Sequence, residues 1–320
     1  MKKPIVSVVI VNYNGIKLLK AIIESLRKNS FKSYETIIVD NNSDDGSQEF
    51  VKKNYKNIKL VENKENLGYS GINSGLKHCN GKYILFLNND MEIEKNCIKK
   101  LVEVLDDDSI GMAAPKLISY YNKNIISGGT WLSRAFYNGH INGGNVSGKR
   151  AIPYLGVGMI RKNIVDKYGY LFDPDYFLYG EDVDLGLRIR LLGKKVLFAD
   201  DAVLYHMHAL TAIKHIKPVK MTYLMERNLL ISFFKNLPSS MIFLYLPYVL
   251  LFRAFAMMKD IIYLNFPSLF ARIKAVLWIV FNFHKVLSKR KKTRKHNKVT
   301  TRFFAVVFTE KYLYRKKFIV

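Results

Sequence analysis

The chain has 320 residues, 51 Lys and Arg against 26 Asp and Glu, and a formal net charge of +25. That length leaves room for one domain of about 235 residues and a smaller appendage. Two cysteines, Cys79 and Cys97, exclude a disulfide framework and a thiolate metal centre, and they point to a reducing compartment.

Residues 5–11 form a near-continuous β-branched run ending in Asn12-Tyr13-Asn14-Gly15, followed by Ile16, Leu19, Ile22, Ile23 and Leu26 at helical spacing. This reads as a buried parallel strand, a polar turn and an amphipathic helix; the run is too short and too strand-like for a signal peptide. Residues 35–40 are a second apolar strand, whose Asp40 opens a polar turn ahead of a short helix near residues 48–53. Residues 66–75 carry Gly68, Gly71 and Gly75, which permit close backbone approach to a ligand without matching the dinucleotide fingerprint. They lead through a helix into the strand 83–87, which ends in Asn88-Asn89-Asp90.

Strands and helices thus alternate at βαβ spacing, and every polar cluster falls at the carboxyl edge, where open α/β sheets bind ligands. An α/β fold is expected, with a mostly parallel sheet flanked by helices. Asp40 would suit the ribose or base of a nucleotide, and Asp90 a divalent cation bridging a diphosphate. Further on, Trp131 and the pairs Gly128-Gly129 and Gly143-Gly144 occupy a loop-rich stretch. A helix starts at Glu181-Asp182 and runs to about Leu192, with Gly193 as its stop. Acidic residues there complement the helix dipole. Asp184 and Arg188 can pair at i and i+4, which leaves Asp182 the freer carboxylate. His206 follows a strand-like run, and His208 points the same way one strand period later.

The segments 8–15, 38–46, 66–73 and 87–90 resemble family 2 glycosyltransferases with the A-type nucleotide-sugar fold. The resemblance continues through 156–161, 169–173, 179–188 and 204–206, and it is closest to the rhamnosyltransferase-like branch. It covers residues 1–235, a Rossmann-like nucleotide-binding half included. It implies inverting transfer from a nucleoside diphosphate sugar to an acceptor hydroxyl in one displacement. Mg2+ or Mn2+ would sit at the Asp-x-Asp position, here Asn88-Asn89-Asp90, with His206 as a further ligand of the metal. Asn12, Tyr13, Asn14, Asp40, Asn42, Gly68, Asn73, Asn88 and Asn89 would hold the nucleotide sugar, and Asp182 matches the family's general base. Trp131, Gly156 and Glu181 would fall in the acceptor region. Asn88 in place of an aspartate motivates an alternative, a binding or membrane scaffold protein weak in catalysis. A sugar-phosphate nucleotidyltransferase is disfavoured, since no basic glycine loop for a triphosphate stands near the N-terminus.

Residues 201–320 hold 22 Lys and Arg against 4 Asp and Glu, so +18 of the net charge lies there. Within residues 236–320 the apolar runs 237–252, 261–271 and 275–283 are punctuated by Arg253, Lys259, Arg272 and Lys274, and none alone reaches the ~18 apolar residues of a spanning helix. They read as a helical extension lying in a membrane interface, with a buried helical hairpin and a single span with Arg253 snorkelling as alternatives. Residues 289–298 then carry seven Lys and Arg in ten, which suits anionic headgroups. The flanking runs lack a nucleic-acid fold, so nucleic acid is not expected as a partner. By resemblance the acceptor is a glycan or lipid-linked glycan at the cytoplasmic face of the cell membrane, with the protein peripheral or monotopic there.

Overall fold

The computed structural model describes residues 3–141, 148–207 and 217–308. Strand β1 (Val6–Asn12) feeds helix α1 (Ile16–Arg27), whose Leu19, Ile22, Ile23 and Leu26 are buried as their spacing predicts. Next come β2 (Tyr34–Asp40), α2 (Ser47–Asn54) and β3 (Lys59–Glu62). The glycine-bearing stretch folds as a 3-10 helix, Gly68–His78, ahead of β4 (Tyr83–Asn88). Gly75 packs tightly there: a Cβ would lie 2.7 Å from the Val39 side chain, so this turn lies directly on the sheet.

Strands β5 (Met91–Ile93), β6 (Ile110–Ser119), β7 (Ile125–Ser127), β10 (Arg150–Ile152), β11 (Gly158–Arg161) and β12 (Lys195–His206) complete a ten-stranded sheet. Its main order is β10-β12-β6-β11-β4-β1-β2-β3. The half built from β4, β1, β2 and β3 is parallel throughout. The sheet as a whole is mixed, because β11 enters antiparallel between β4 and β6. Helices α3 (Cys97–Val104), α4 (Lys162–Tyr168) and α5 (Glu181–Leu191) follow their strands, and β8 (Thr130–Leu132) pairs with β9 (Asn138–His140) as a separate ribbon. Cys79 and Cys97 are buried free thiols within this core.

The remaining chain is helical: α6 (Pro218–Asn236), α7 (Ser239–Ile262), α8 (Phe266–Phe281), α9 (Phe283–Arg294) and α10 (Thr301–Ala305). A second apolar core joins it to the sheet body. Phe136, Tyr176, Val183, Phe233, Tyr245 and Phe304 share that core. Residue 235 falls inside α6, one residue short of its end. Helix α7 continues through Arg253, which ends the charge-free run 237–252, as one 24-residue helix. The reason is the direction of the side chain, since Arg253 is 3 % exposed and turned toward Glu226. By length and composition α7 is long and apolar enough to cross a bilayer, and only 22 % of its most apolar window is buried.

The basic run 289–298 is divided between two roles. Arg290 Nη1 donates to the carbonyls of Phe234 and Leu237 at 2.7 and 2.6 Å, and Arg294 Nη1 to that of Asn236 at 3.1 Å. These contacts satisfy carbonyls left over at the end of α6. Lys289 Nζ pairs with Asp175 at 2.8 Å and with Asp173. Lys291, Lys292, Lys295 and Lys298 face solvent.

Candidate active site

Parallel pairing brings the polar ends of three neighbouring strands level, with Asn12 opposite Asp40 and Val11 opposite Asn88. Asp40 is 1 % exposed. Its Oδ1 accepts from Ser43 N and Gln48 Nε2, both at 2.8 Å. Its Oδ2 accepts from Asn12 Nδ2 and Ser43 Oγ, both at 2.7 Å. The Asn12 amide passes the chain on, since its Oδ1 accepts from Asn89 Nδ2 at 2.7 Å. Gly15 makes room for that bond, because a Cβ there would lie 2.0 Å from Asn89 Nδ2. The carboxylate expected to face a nucleoside is therefore turned inward, where it orders two turns. Those turns bring forward Tyr13, Asn14 (φ 48°) and exposed Asn42 (φ 64°), asparagines being among the few residues at ease in that region.

Two further expected binding residues also brace the site from within. Gly68 has φ +60°, and a Cβ would meet the Phe177 carbonyl at 2.1 Å. Asn73 Nδ2 donates to Phe172 O at 2.6 Å, while its Oδ1 accepts from Leu171 N at 2.9 Å. The 3-10 helix is thereby bound to the segment that precedes α5.

Asp90 and His206 are brought together by backbone pairing: β5 runs antiparallel to the end of β12, placing His206 opposite Met91, and Met207 N donates to Asp90 O at 2.9 Å. The side chains meet with His206 Nε2 3.2 Å from Asp90 Oδ2. Asp90 is 4 % exposed, and its Oδ1, like Asn88 Oδ1, is a buried acceptor without a hydrogen-bond partner. Orphaned buried acceptors are costly unless something satisfies them. Among the described residues no three His, Cys, Asp or Glu side chains converge on one point. The two oxygens and the imidazole fit a divalent cation as part of its shell only, the remainder coming from diphosphate oxygens and water, as hard cations accept.

Helix α5 begins beyond Tyr179 (φ 67°) and Gly180 (φ 82°), a strained turn held by Asn228 Nδ2, which donates to the carbonyls of Leu178 and Tyr179 at 2.9 and 2.6 Å. Ten of its eleven residues are buried, and Asp182 is half-buried. Burial raises the Asp182 carboxyl to about 6, against the backbone N–H of Val183 bonded to its Oδ1 at 2.8 Å. Burial and then the neighbouring Asp182 push Glu181 well above the ordinary carboxylate value, and its Oε2 lacks a partner. Asp184 bonds to Arg188 Nε at 2.8 Å, as the spacing predicts. Gly156 lies against the site, since a Cβ there would stand 3.6 Å from Asp182 Oδ2.

Trp131 stacks over Gly139 in the β8–β9 ribbon, where a Cβ would come within 2.9 Å of the indole. The ribbon is tied to the Gly156 segment by Tyr154 Oη, which donates to Gly139 O at 3.3 Å. Gly143, Gly144 and His208 lie outside the described residues. Residue reasoning missed Tyr69, whose hydroxyl is raised by burial and then by Asp90 and Glu181. That coupling puts Asp90 and the start of α5 around one side chain. Its signal was an aromatic directly after Gly68. Tyr154, raised by burial and then by Asp182, was also missed. A cavity of about 600 Å³ lies at the other end of the sheet, by Lys3, Gly81, Lys82 and Arg161, and none of the strand-end groups lines it.

Helices over a mixed sheet, polar strand ends and an acidic helix start are the architecture of the A-type glycosyltransferase fold. Solved structures agree. The Staphylococcus aureus TarS fragment 1-349 in complex with UDP superposes with a TM-score of 0.56 at 17 % identity, over 98 % of this chain and 94 % of that one. The mannosyltransferase PcManGT from Pyrobaculum calidifontis, in complex with GDP-Man and Mn2+, gives 0.56 at 15 % identity, over 99 % and 89 %. The model of glycosyl transferase family 2 matches residues 7–169, and the chain belongs to that family. Among relatives, glycosyltransferase AglE of Haloferax volcanii is 23 % identical over 63 % of this chain and 67 % of its own length. The amylovoran biosynthesis glycosyltransferase AmsB of Erwinia amylovora is 28 % identical over 65 % and 71 %.

Proposed function

We propose that the chain is an inverting transferase that moves a sugar from a nucleoside diphosphate donor to an acceptor hydroxyl. Asp182 carries the reading: it is the one residue of α5 that solvent partly reaches, and burial raises its carboxyl to about 6 beside a Glu181 that burial raises further. A base works best with a pKa near the operating pH. In the step, the acceptor oxygen bonds to the anomeric carbon, its proton passes to Asp182, and the bond to the diphosphate oxygen breaks.

Asp90, Asn88 and His206 would hold Mg2+ or Mn2+, which neutralises charge on the departing diphosphate. Support comes from the paired Asp90 and His206, the orphaned oxygens beside them and the complex of the fold neighbour PcManGT with GDP-Man and Mn2+. Tyr13, Asn14 and Asn42 would contact the nucleoside, with Asp40, Asn12 and Asn89 ordering the turns beneath them. Trp131 and Gly156 would border the acceptor.

The name of AmsB, an amylovoran biosynthesis glycosyltransferase, favours an acceptor in polysaccharide assembly; the sequence resemblance adds a lipid carrier at the cell surface and puts deoxythymidine diphosphate rhamnose first among donors to test. The exposed lysines of α9 and the apolar outer faces of α7 and α8 support residence at the cytoplasmic face of a membrane, each lysine adding about 1 kcal/mol of attraction near anionic lipid. The test is a panel of nucleotide sugars scored by thermal shift and slow donor hydrolysis, with and without Mg2+ or Mn2+. One donor with a metal-dependent response is expected. A folded protein that no donor stabilises would contradict the proposal.

A further inference from the structure

Among the described residues, 20 of the 25 exposed large hydrophobic side chains fall within residues 243–287. Phe243 (85 %), Tyr263 (73 %) and Phe281 (74 %) mark the extent of this surface along α7, its turn and α8. So much contiguous apolar area on one face marks an interaction site.

The charges of the same two helices mostly point the other way. Arg253 Nε pairs with Glu226 Oε2 at 3.1 Å, Arg272 Nε with Asp260 Oδ2 at 2.8 Å, and Arg272 Nη1 also reaches the Glu226 carboxylate. Arg253 Nη1 donates to the carbonyl of Ala135 at 3.1 Å. Glu226, Arg253 and Asp260 are each less than a tenth exposed. The charges left on the outside are Lys259 and Lys274, whose long stems let the ammonium reach water beside an apolar surface.

This cluster decides how the hairpin can meet a bilayer. Arg253 lies about 21 Å along α7 from Ser239, at 1.5 Å per residue. Were α7 to cross a hydrocarbon core ~30 Å thick, Arg253 would lie deep inside it together with Glu226. Glu226 belongs to α6, whose Asn236 bonds Asp184 of α5 at 2.8 Å. A crossing would thus draw the catalytic body into the lipid or tear apart a buried ion cluster, and both are unfavourable.

We propose that the α7–α8 hairpin lies flat in one leaflet, its outer apolar face in the acyl boundary and the Glu226–Arg253–Asp260–Arg272 cluster fastening it to the catalytic body. The inference rests on the membrane reading above and adds its geometry. Lipid is the occupant that the surrounding charge favours, because Lys285, Lys291, Lys292, Lys295 and Lys298 are exposed on the helix and turn that follow. A second copy of so basic a chain would bring like charges together.

The test places a nitroxide at Phe243→Cys, Leu251→Cys or Tyr263→Cys in the full-length chain, the native cysteines being buried and unreactive. Each variant is bound to vesicles of phosphatidylglycerol and phosphatidylcholine, and its depth is read from collision with oxygen against a water-soluble nickel complex. All three labels at one shallow depth, about 5–10 Å, are expected. A Leu251 label near the bilayer centre with the Tyr263 label on the far side would overturn the flat geometry and leave the membrane reading standing. Labels that stay in water beside vesicles would overturn both. Labels shielded and dipolar-broadened without vesicles would show a second copy on this face instead, and that too would overturn the proposal.

Discussion

Lys235 Nζ stands 2.8 Å from Asp184 Oδ1, and solvent reaches neither side chain. The same ammonium lies 2.6 Å from Asp173 Oδ2. Burial alone would raise both carboxyls, but Lys235 beside them holds them below the ordinary range. Asp184 is two residues from Asp182, so this lock sets where α5 presents the proposed base.

Replacing Lys235 by Met leaves two buried carboxylates short of a partner, and loss of one member of such a set costs about 3–5 kcal/mol. Denaturant unfolding should show an unfolding free energy lower by that much, with the midpoint at lower denaturant. Wild-type stability would remove the lock from the account.

Asp182→Asn should stabilise the fold at neutral pH. The folded carboxyl is raised to about 6 from its ordinary value of 3.8, so the native state binds its proton more tightly than the unfolded chain does. Its contribution to stability is present below pH 3.8 and is lost as pH rises through about 6. Above that, a neutral amide removes a penalty of about 1–3 kcal/mol. Thermal unfolding at pH 5 and pH 8 checks it: the variant's advantage should be larger at pH 8, and an equal Tm at both would contradict the raised carboxyl.

Gly156→Ala should fold normally, because its Cβ would meet Asp182 Oδ2 at 3.6 Å, an ordinary contact. The added methyl excludes water from that carboxylate and raises it further. The acid limb of the kcat profile should therefore move to higher pH, and a profile unchanged from wild type would argue that Asp182 is not the titrating base.

Asp90→Ala removes a carboxylate whose Oδ1 is unsatisfied within the chain. Donor-induced thermal shift should lose its dependence on Mg2+ or Mn2+, and chelation should have the same effect on the wild-type protein. A metal response that survives the substitution would reassign the cation.

Much of this was legible in the residues. Strands β1, β2 and β4 are near-continuous apolar runs of parallel-strand length, and the stripe of α1 follows the helical period, so the nucleotide half could be drawn before the structure. Asp184 and Arg188 pair as their spacing requires. The antiparallel entry of β11 was not legible, because a four-residue strand carries too little pattern to show direction. Nor was the inward turn of Asp40, whose partners Asn12 and Gln48 come from separate elements. The length of α7 was not legible either, because the apolar run stops at Arg253 and composition records a charge but not the side to which it points. Lys235 and Asp173 lie 62 residues apart, and no local spacing announces their bond.

The most direct test of the central claim compares Asp182→Asn with wild type in single-turnover transfer, using the donor the panel identifies and measuring donor affinity in parallel. Donor binding should persist while transfer falls by about 10²- to 10⁴-fold, the contribution of a general base. Transfer within a few-fold of wild type, with donor affinity unchanged, would contradict the assignment of Asp182 and the mechanism built on it.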